Sequence, residues 1–147
     1  MKSDIIEKLT SKDDISACEY AEKIILESQE TNKWYKYFDE VSSLLSYPKS
    51  LVRNRALNIL AANAKWDIDN KFDLIIDDYL SHVIDEKPIT ARECIKSLAT
   101  LGQYKPKYIS KIIETIQSAD LSKYKDSMRP LIEKDIYDTT AKLSKQK

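Results

Sequence analysis

A single glycine, Gly102, in 147 residues is the feature that most limits what this chain can become. Sheet proteins turn their hairpins on Asn-Gly, Asp-Gly or Gly-Gly pairs that reach positive φ, and the chain has none of these pairs. Helices joined by short polar turns are the economical alternative. Apolar residues recur at i, i+3 and i+4 from end to end, with no sustained alternation of the kind a strand requires.

That spacing predicts eight helices. The first is short and carries Ile5, Ile6 and Leu9. The second, capped by Asp13 or Asp14, runs to about Ser28 with Ala17, Tyr20, Ala21, Ile24 and Ile25 inward. A third over about 34–46 sets Phe38, Val41 and Leu45 on one stripe. Pro48 breaks the chain, because proline cannot continue a helix interior but suits a first turn, and Ser50 is a suitable cap. The fourth helix, about 51–65, lines up Val52, Ala56, Ile59 and Leu60. Asp69 or Asn70 opens the fifth, with Phe72, Ile75, Ile76 and Tyr79. The sixth, 89–101, buries Cys94, Ile95, Leu98 and Leu101, and Gly102 is its expected left-handed stop. The seventh begins at Pro106 and carries Ile109, Ile112, Ile113 and Ile116. The eighth starts near Ser127 with Leu131, Ile132 and Ile136 inward. One all-α domain over 1–143 is expected, followed by a frayed tail, 144–147.

The pattern also repeats. Ala56 and Leu60 find counterparts 38 residues on in Cys94 and Leu98, and Val52-Arg53 matches Met128-Arg129 at 76. Partner helices precede these, with Phe38, Val41, Leu45; Phe72, Ile75, Tyr79; and Ile109, Ile112, Ile116. A period in the mid-thirties to about forty, in helix–turn–helix units, marks a helical array. The clearest unit is Phe38-Asp-Glu-Val-Ser-Ser-Leu-Leu-Ser-Tyr-Pro-Lys-Ser-Leu-Val-Arg-Asn-Arg-Ala-Leu-Asn-Ile-Leu, with weaker copies over 72–102 and 108–143. It resembles the HEAT-repeat family: a leucine-rich first helix, a proline-bearing turn, then Val-Arg-x-x-Ala-x-x-x-Leu. Tyr47 stands where that family often has aspartate. The resemblance implies a right-handed α-α superhelix of about four antiparallel helix pairs, of the armadillo type. It also implies that Arg53 and Arg129 brace adjacent repeats, and that the second helix of each pair lines a concave surface. Outward positions on that surface are Asn54, Asn58 and Lys65, then Arg92, Lys96 and Gln103.

The composition excludes several chemistries. Lys+Arg and Asp+Glu both number 24, whereas phosphate binding normally needs a basic excess or stripe; nucleic acid is an unfavoured partner. One glycine rules out a glycine-rich phosphate loop and a Gly-x-Ser-x-Gly nucleophile turn. The only histidine, His82, shares a helix face with Asp78, but two ligands make a poor metal site, so a solvated helix end is expected there. Asp13-Asp14 and Asp77-Asp78 read as caps and wet faces, since adjacent helix residues do not converge. Cys18 and Cys94 lie outside metal-ligand spacing and are expected as small buried residues. No catalytic set, metal or cofactor is expected.

No apolar run approaches 18 residues, and the N-terminus lacks a signal peptide's apolar stretch; a cytoplasmic protein is expected. The aromatic residues Trp34, Tyr35 and Tyr37 crowd one helix start, with Trp66 ending the next helix. Such side chains either plug gaps between repeats or form contact surface, burying much area at small entropic cost. A tryptophan and an aspartate near a concave helical groove also resemble HEAT-like DNA glycosylases that excise alkylated bases. The favoured expectation is a non-enzymatic scaffold that binds another protein or an extended peptide.

Overall fold

The computed structural model describes residues 3–146 and is all-helical, with eight α-helices and no strand among the described residues. They are α1 (Asp4–Leu9), α2 (Asp14–Ser28), α3 (Phe38–Ser42), α4 (Ser50–Ala62), α5 (Phe72–Ser81), α6 (Pro88–Tyr104), α7 (Ile109–Gln117) and α8 (Arg129–Ser144). Five 3-10 turns adjoin four of them, two flanking α3, one each following α4 and α5, and one preceding α7. No described helix is long and apolar enough to cross a membrane. The chain divides into two compact units, Met1–Ile75 and Ile76–Lys147.

In the first unit, α2 and α4 run parallel. Near their starts Arg55 Nη2 meets Asp14 Oδ1 at 3.1 Å, and near their ends Asn63 Nδ2 donates to Ser28 Oγ at 3.1 Å. The short α3 is the return stroke between them. Ala17 and Ala56, at 1% and 0% exposure, keep this seam narrow, and Leu57 and Leu60 fill the space behind it. Asp13 caps α2 by accepting the Ser16 N–H, one of the donors a helix start leaves unpaired.

The second unit repeats the arrangement. Arg92 meets Asp135 near the start of α6 and α8, Thr139 donates to the Ile95 carbonyl at 3.2 Å, and Gly102 lies against Leu143 near their ends. These two helices are therefore parallel, with α7 returning between them. Cys94, Ile95, Leu98, Leu101 and Ile112 are completely buried.

Several boundaries differ from the sequence expectation. The expected helix over 34–46 is α3 flanked by 3-10 turns at Tyr35–Tyr37 and Ser43–Ser46. Ser42, Ser43 and Ser46 each donate to a carbonyl three residues back, and such side-chain bonds compete with the regular ladder. Gly102 is not a left-handed stop: α6 continues to Tyr104 and no described glycine has positive φ. The start of α5 is held by more than the expected Asp69 or Asn70, of which the Asn70 carbonyl accepts the Asp73 N–H at 3.1 Å. Asp67 accepts the N–H groups of Lys71 and Phe72 at 2.8 and 3.0 Å, and Asn70 takes φ 55° in the turn. The eighth helix begins at Arg129, and its inward line is Ile132, Asp135, Thr139 and Leu143. Leu131 is 41% exposed instead of inward, because the seam against α6 is partly polar and apolar spacing does not register it. Of the expected tail, Ser144 is helical, Lys145 and Gln146 form a turn, and Lys147 lies outside the described residues.

Candidate functional site

The aromatic cluster of the first unit is built on the 3-10 turn Tyr35–Tyr37. With three residues per turn, side chains at i and i+3 eclipse, so Trp34 pairs with Tyr37 and Tyr35 pairs with Phe38. The ring centroids are 5.8 Å apart in both pairs. One pair faces inward: Phe38 meets Phe72 edge-on at 5.1 Å, and the Tyr35 hydroxyl donates to Asp67 Oδ1 at 2.5 Å. Burial, and then the bond to Asp67, raises the Tyr35 hydroxyl well above the usual tyrosine range. Tyr35 is thus structural, although its sequence position groups it with Trp34 and Tyr37.

The other pair forms a surface. Trp34 meets Tyr20 edge-on at 6.0 Å, extending the platform onto α2. Trp34 Nε1 donates to Glu27 Oε1 at 2.9 Å, which fixes the ring. Lys33 pairs with the same carboxylate at 2.9 Å, and these two bonds hold the Glu27 carboxyl below its ordinary range. Ammonium groups lie over three of the rings: Lys8 over Tyr20 at 5.1 Å, Lys33 over Trp34 at 5.6 Å and Lys36 over Tyr37 at 5.3 Å. Contacts of this kind stabilise by roughly 0.5–1 kcal/mol at exposed sites. A cleft of about 200 Å³ opens between Lys33, Trp34, Lys36 and Tyr37.

Trp66 does something different. Its Nε1 donates to the Ser28 carbonyl at 2.7 Å, and Lys65 Nζ, 5.0 Å from the Trp66 ring centre, donates to the Gln29 carbonyl at 2.6 Å. Together they close the C-terminus of α2, whose last carbonyls have no helical partners. Lys65 is accordingly tied to α2. The other concave-face candidates divide between the units. On α4, Asn58 Nδ2 donates to the Asn54 carbonyl at 3.1 Å, and both side chains are half-buried. On α6, Arg92 is bound to Asp135 at 2.6 Å, whereas Lys96 and Gln103 are exposed.

The expected bracing arginines both hold turn carbonyls. Arg53 donates to the Tyr47 and Pro48 carbonyls and Arg129 to the Tyr124 carbonyl, all at 2.9 Å, so each ties down the turn leading into its own helix. Arg55, which also donates to the Leu9 carbonyl at 2.9 Å, and Arg92 each bridge two stacked helices within their own unit. Sequence reading missed both bridges. Their acceptors, Asp14 and Asp135, lie 41 and 43 residues away, close to the repeat length, and this spacing was the available signal.

His82 is not a solvated helix end. It is 9% exposed, and Nδ1 lies 2.8 Å from Asp85 Oδ1 while Nε2 sits 3.9 Å from Asp78. Asp85 also accepts the Lys87 N–H through Oδ2, and its carbonyl accepts the Tyr124 hydroxyl. The histidine therefore belongs to a buried polar knot that fixes the turn into α6. No group of three or more His, Cys, Asp or Glu among the described residues is placed to hold a metal ion. Cys94 is buried as expected, but Cys18 is exposed beside Glu22, one residue off the Ala17–Ala21–Ile24 stripe.

No family model, curated protein or solved structure matches this chain. What the Trp34–Tyr37 surface can do is read from its own chemistry: it presents aromatic rings, with Trp34 held by Glu27, beneath the ammonium groups of Lys33 and Lys36.

Proposed function

We propose that the chain is a non-enzymatic protein-interaction module, a scaffold of the HEAT-like, right-handed α-α superhelix type. The parallel stacking of α2 on α4 and of α6 on α8, each with a returning helix between, supports that architecture. Two free thiols suit a reducing, cytoplasmic setting.

The observation that carries the functional reading is the Trp34–Tyr37 face. Its rings are held in place before any partner arrives, by Glu27 and by each other. Aromatic side chains fixed in this way contribute contact area with little further ordering cost. The partner is another protein or an extended peptide. The rival reading, a nucleic-acid-binding or alkylated-base-excising HEAT-like protein, needs an aspartate beside a tryptophan at an open groove, and Asp67 follows Trp66 in the chain. Asp67 is 3% exposed and accepts bonds from Tyr35, Lys71 and Phe72, a folding role.

The test is affinity capture from the native host with the full chain, comparing the wild type with Tyr37→Ala and Lys36→Glu, which spare the Trp34–Glu27 bond. A discrete protein partner lost in both variants is the expected result. A salt-sensitive gel shift on duplex DNA, with no such partner, would replace this reading by the rival.

A further inference from the structure

The cleft at Lys33, Trp34, Lys36 and Tyr37, of about 200 Å³, is smaller than the roughly 300–1,000 Å³ of pockets that enclose a small-molecule ligand. It suits a single compact side chain. The Trp34 and Tyr37 rings on its walls are half-buried and tilted by 44° to one another.

Both charged residues lining the cleft are cationic. Lys33 meets Glu27, the carboxylate that also accepts the Trp34 indole N–H, and an ammonium group has three donors, so Lys33 keeps spare ones. Lys36 lies 5.3 Å from the Tyr37 ring centre, and no carboxylate among the described residues pairs with its ammonium. The exposed Lys23 adds positive charge near Glu27. Further along the platform, Lys8 over Tyr20 is balanced by Asp4. Aromatic faces ordinarily attract cations. Here the protein's own lysines hold those places, and an incoming cation would meet like charge.

We infer that this cleft binds a proline flanked by acidic residues, in an extended segment of a partner protein. The proline ring fills the space between Trp34 and Tyr37, and the flanking carboxylates accept from Lys33 and Lys36. Proline has no backbone N–H, and proline-rich segments dock on aromatic-lined grooves at low ordering cost. Such a segment brings acceptors, which matches walls that offer ammonium donors and no carboxylate. A basic segment is repelled at both lysines. The inference rests on the protein-binding reading of this surface and adds the chemistry of the partner.

The experiment is a titration of the isotope-labelled full chain with three blocked peptides, followed by amide and indole chemical shifts. They are acetyl-Glu-Pro-Pro-Glu-amide, acetyl-Lys-Pro-Pro-Lys-amide and acetyl-Glu-Gly-Gly-Glu-amide. The first should give saturable shifts centred on Lys33, Trp34, Lys36 and Tyr37, with a Kd of about 1 mM or tighter for so few contacts. The lysine peptide should give none, and the glycine peptide should bind at least about fivefold more weakly. Lys36→Glu, at an exposed position, should weaken the first peptide by a similar factor of about five. Equal shifts with the lysine peptide, indifference to the loss of proline, shifts elsewhere, or no saturation would overturn the inference. Any of these beside a captured partner lost in Tyr37→Ala removes the acidic-proline specificity alone. A duplex DNA shift with no captured partner removes the protein-binding reading itself.

Discussion

Gly102 lies against Leu143 so closely that a methyl on its α-carbon would overlap Leu143 Cδ2 and stand 3.4 Å from Ile109 Cγ1. The chain's one glycine is therefore placed by helix packing. Leu143 is completely buried, so it has little room to rotate away.

Gly102→Ala should consequently destabilise the protein. Alanine gains about 1 kcal/mol of helix propensity over glycine, and overpacking typically costs about 1–3 kcal/mol; a net loss of about 1 kcal/mol is expected in urea unfolding. The same change in a Leu143→Ala background should be neutral or stabilising. An additive double-mutant cycle would show that the contact is not what demands glycine.

Asp14 gives stability an acid dependence. Hydrogen bonds from Lys49 and Arg55 hold its carboxyl below the ordinary range. A depressed carboxyl contributes stability above its unfolded value, about 3.9, and loses it as pH falls through the lowered folded value. Asp14→Asn should lower the Tm at neutral pH, and the gap from wild type should close as the pH is taken below about 4. A gap that persists unchanged in acid would assign the effect to something other than this carboxylate.

At the alkaline end the sign is reversed. Burial pushes the Tyr124 hydroxyl up to about 12, and Tyr79, fully buried, is also raised. The neutral forms are favoured in the fold, so their contribution is complete below the unfolded value, about 10, and is lost as pH rises through the folded one. Tyrosinate absorbance should rise in step with loss of helical circular dichroism above about pH 10. Tyr124→Phe, which removes the bond to the Asp85 carbonyl, should cost about 1 kcal/mol at neutral pH.

Asp67 helps hold the start of α5. Asp67→Ala removes the acceptor for two backbone N–H groups and for Tyr35, and should cost about 2 kcal/mol, the upper end for lost caps. Tyr35→Phe should cost less, about 1 kcal/mol. Chemical denaturation of the two variants orders them; the reverse order would make Tyr35, not the cap, the dominant contact.

The thiols should separate kinetically. Cys18 is exposed and Cys94 is completely buried, with its thiol pushed far up by burial. One equivalent of a thiol reagent should react in the native protein and two in denaturant. Two in the native state would mean that the α6 seam opens readily.

The helices and their number were legible because apolar spacing and proline act locally. Phe38, Leu60, Leu98 and Ile112 had to be buried in any compact fold this chain could adopt. What the sequence did not reveal was every feature decided by a partner distant along the chain. The eclipsing of a 3-10 turn sent Tyr35 to Asp67 and Trp34 outward. Parallel stacking joined Arg92 to Asp135 and made the inward face of α8 partly polar. Close approach of Leu143 turned Gly102 from an expected helix end into a helix-interior contact. Local propensity fixes where helices form; which of their polar side chains are buried, bonded or left facing solvent depends on the neighbour that packing supplies.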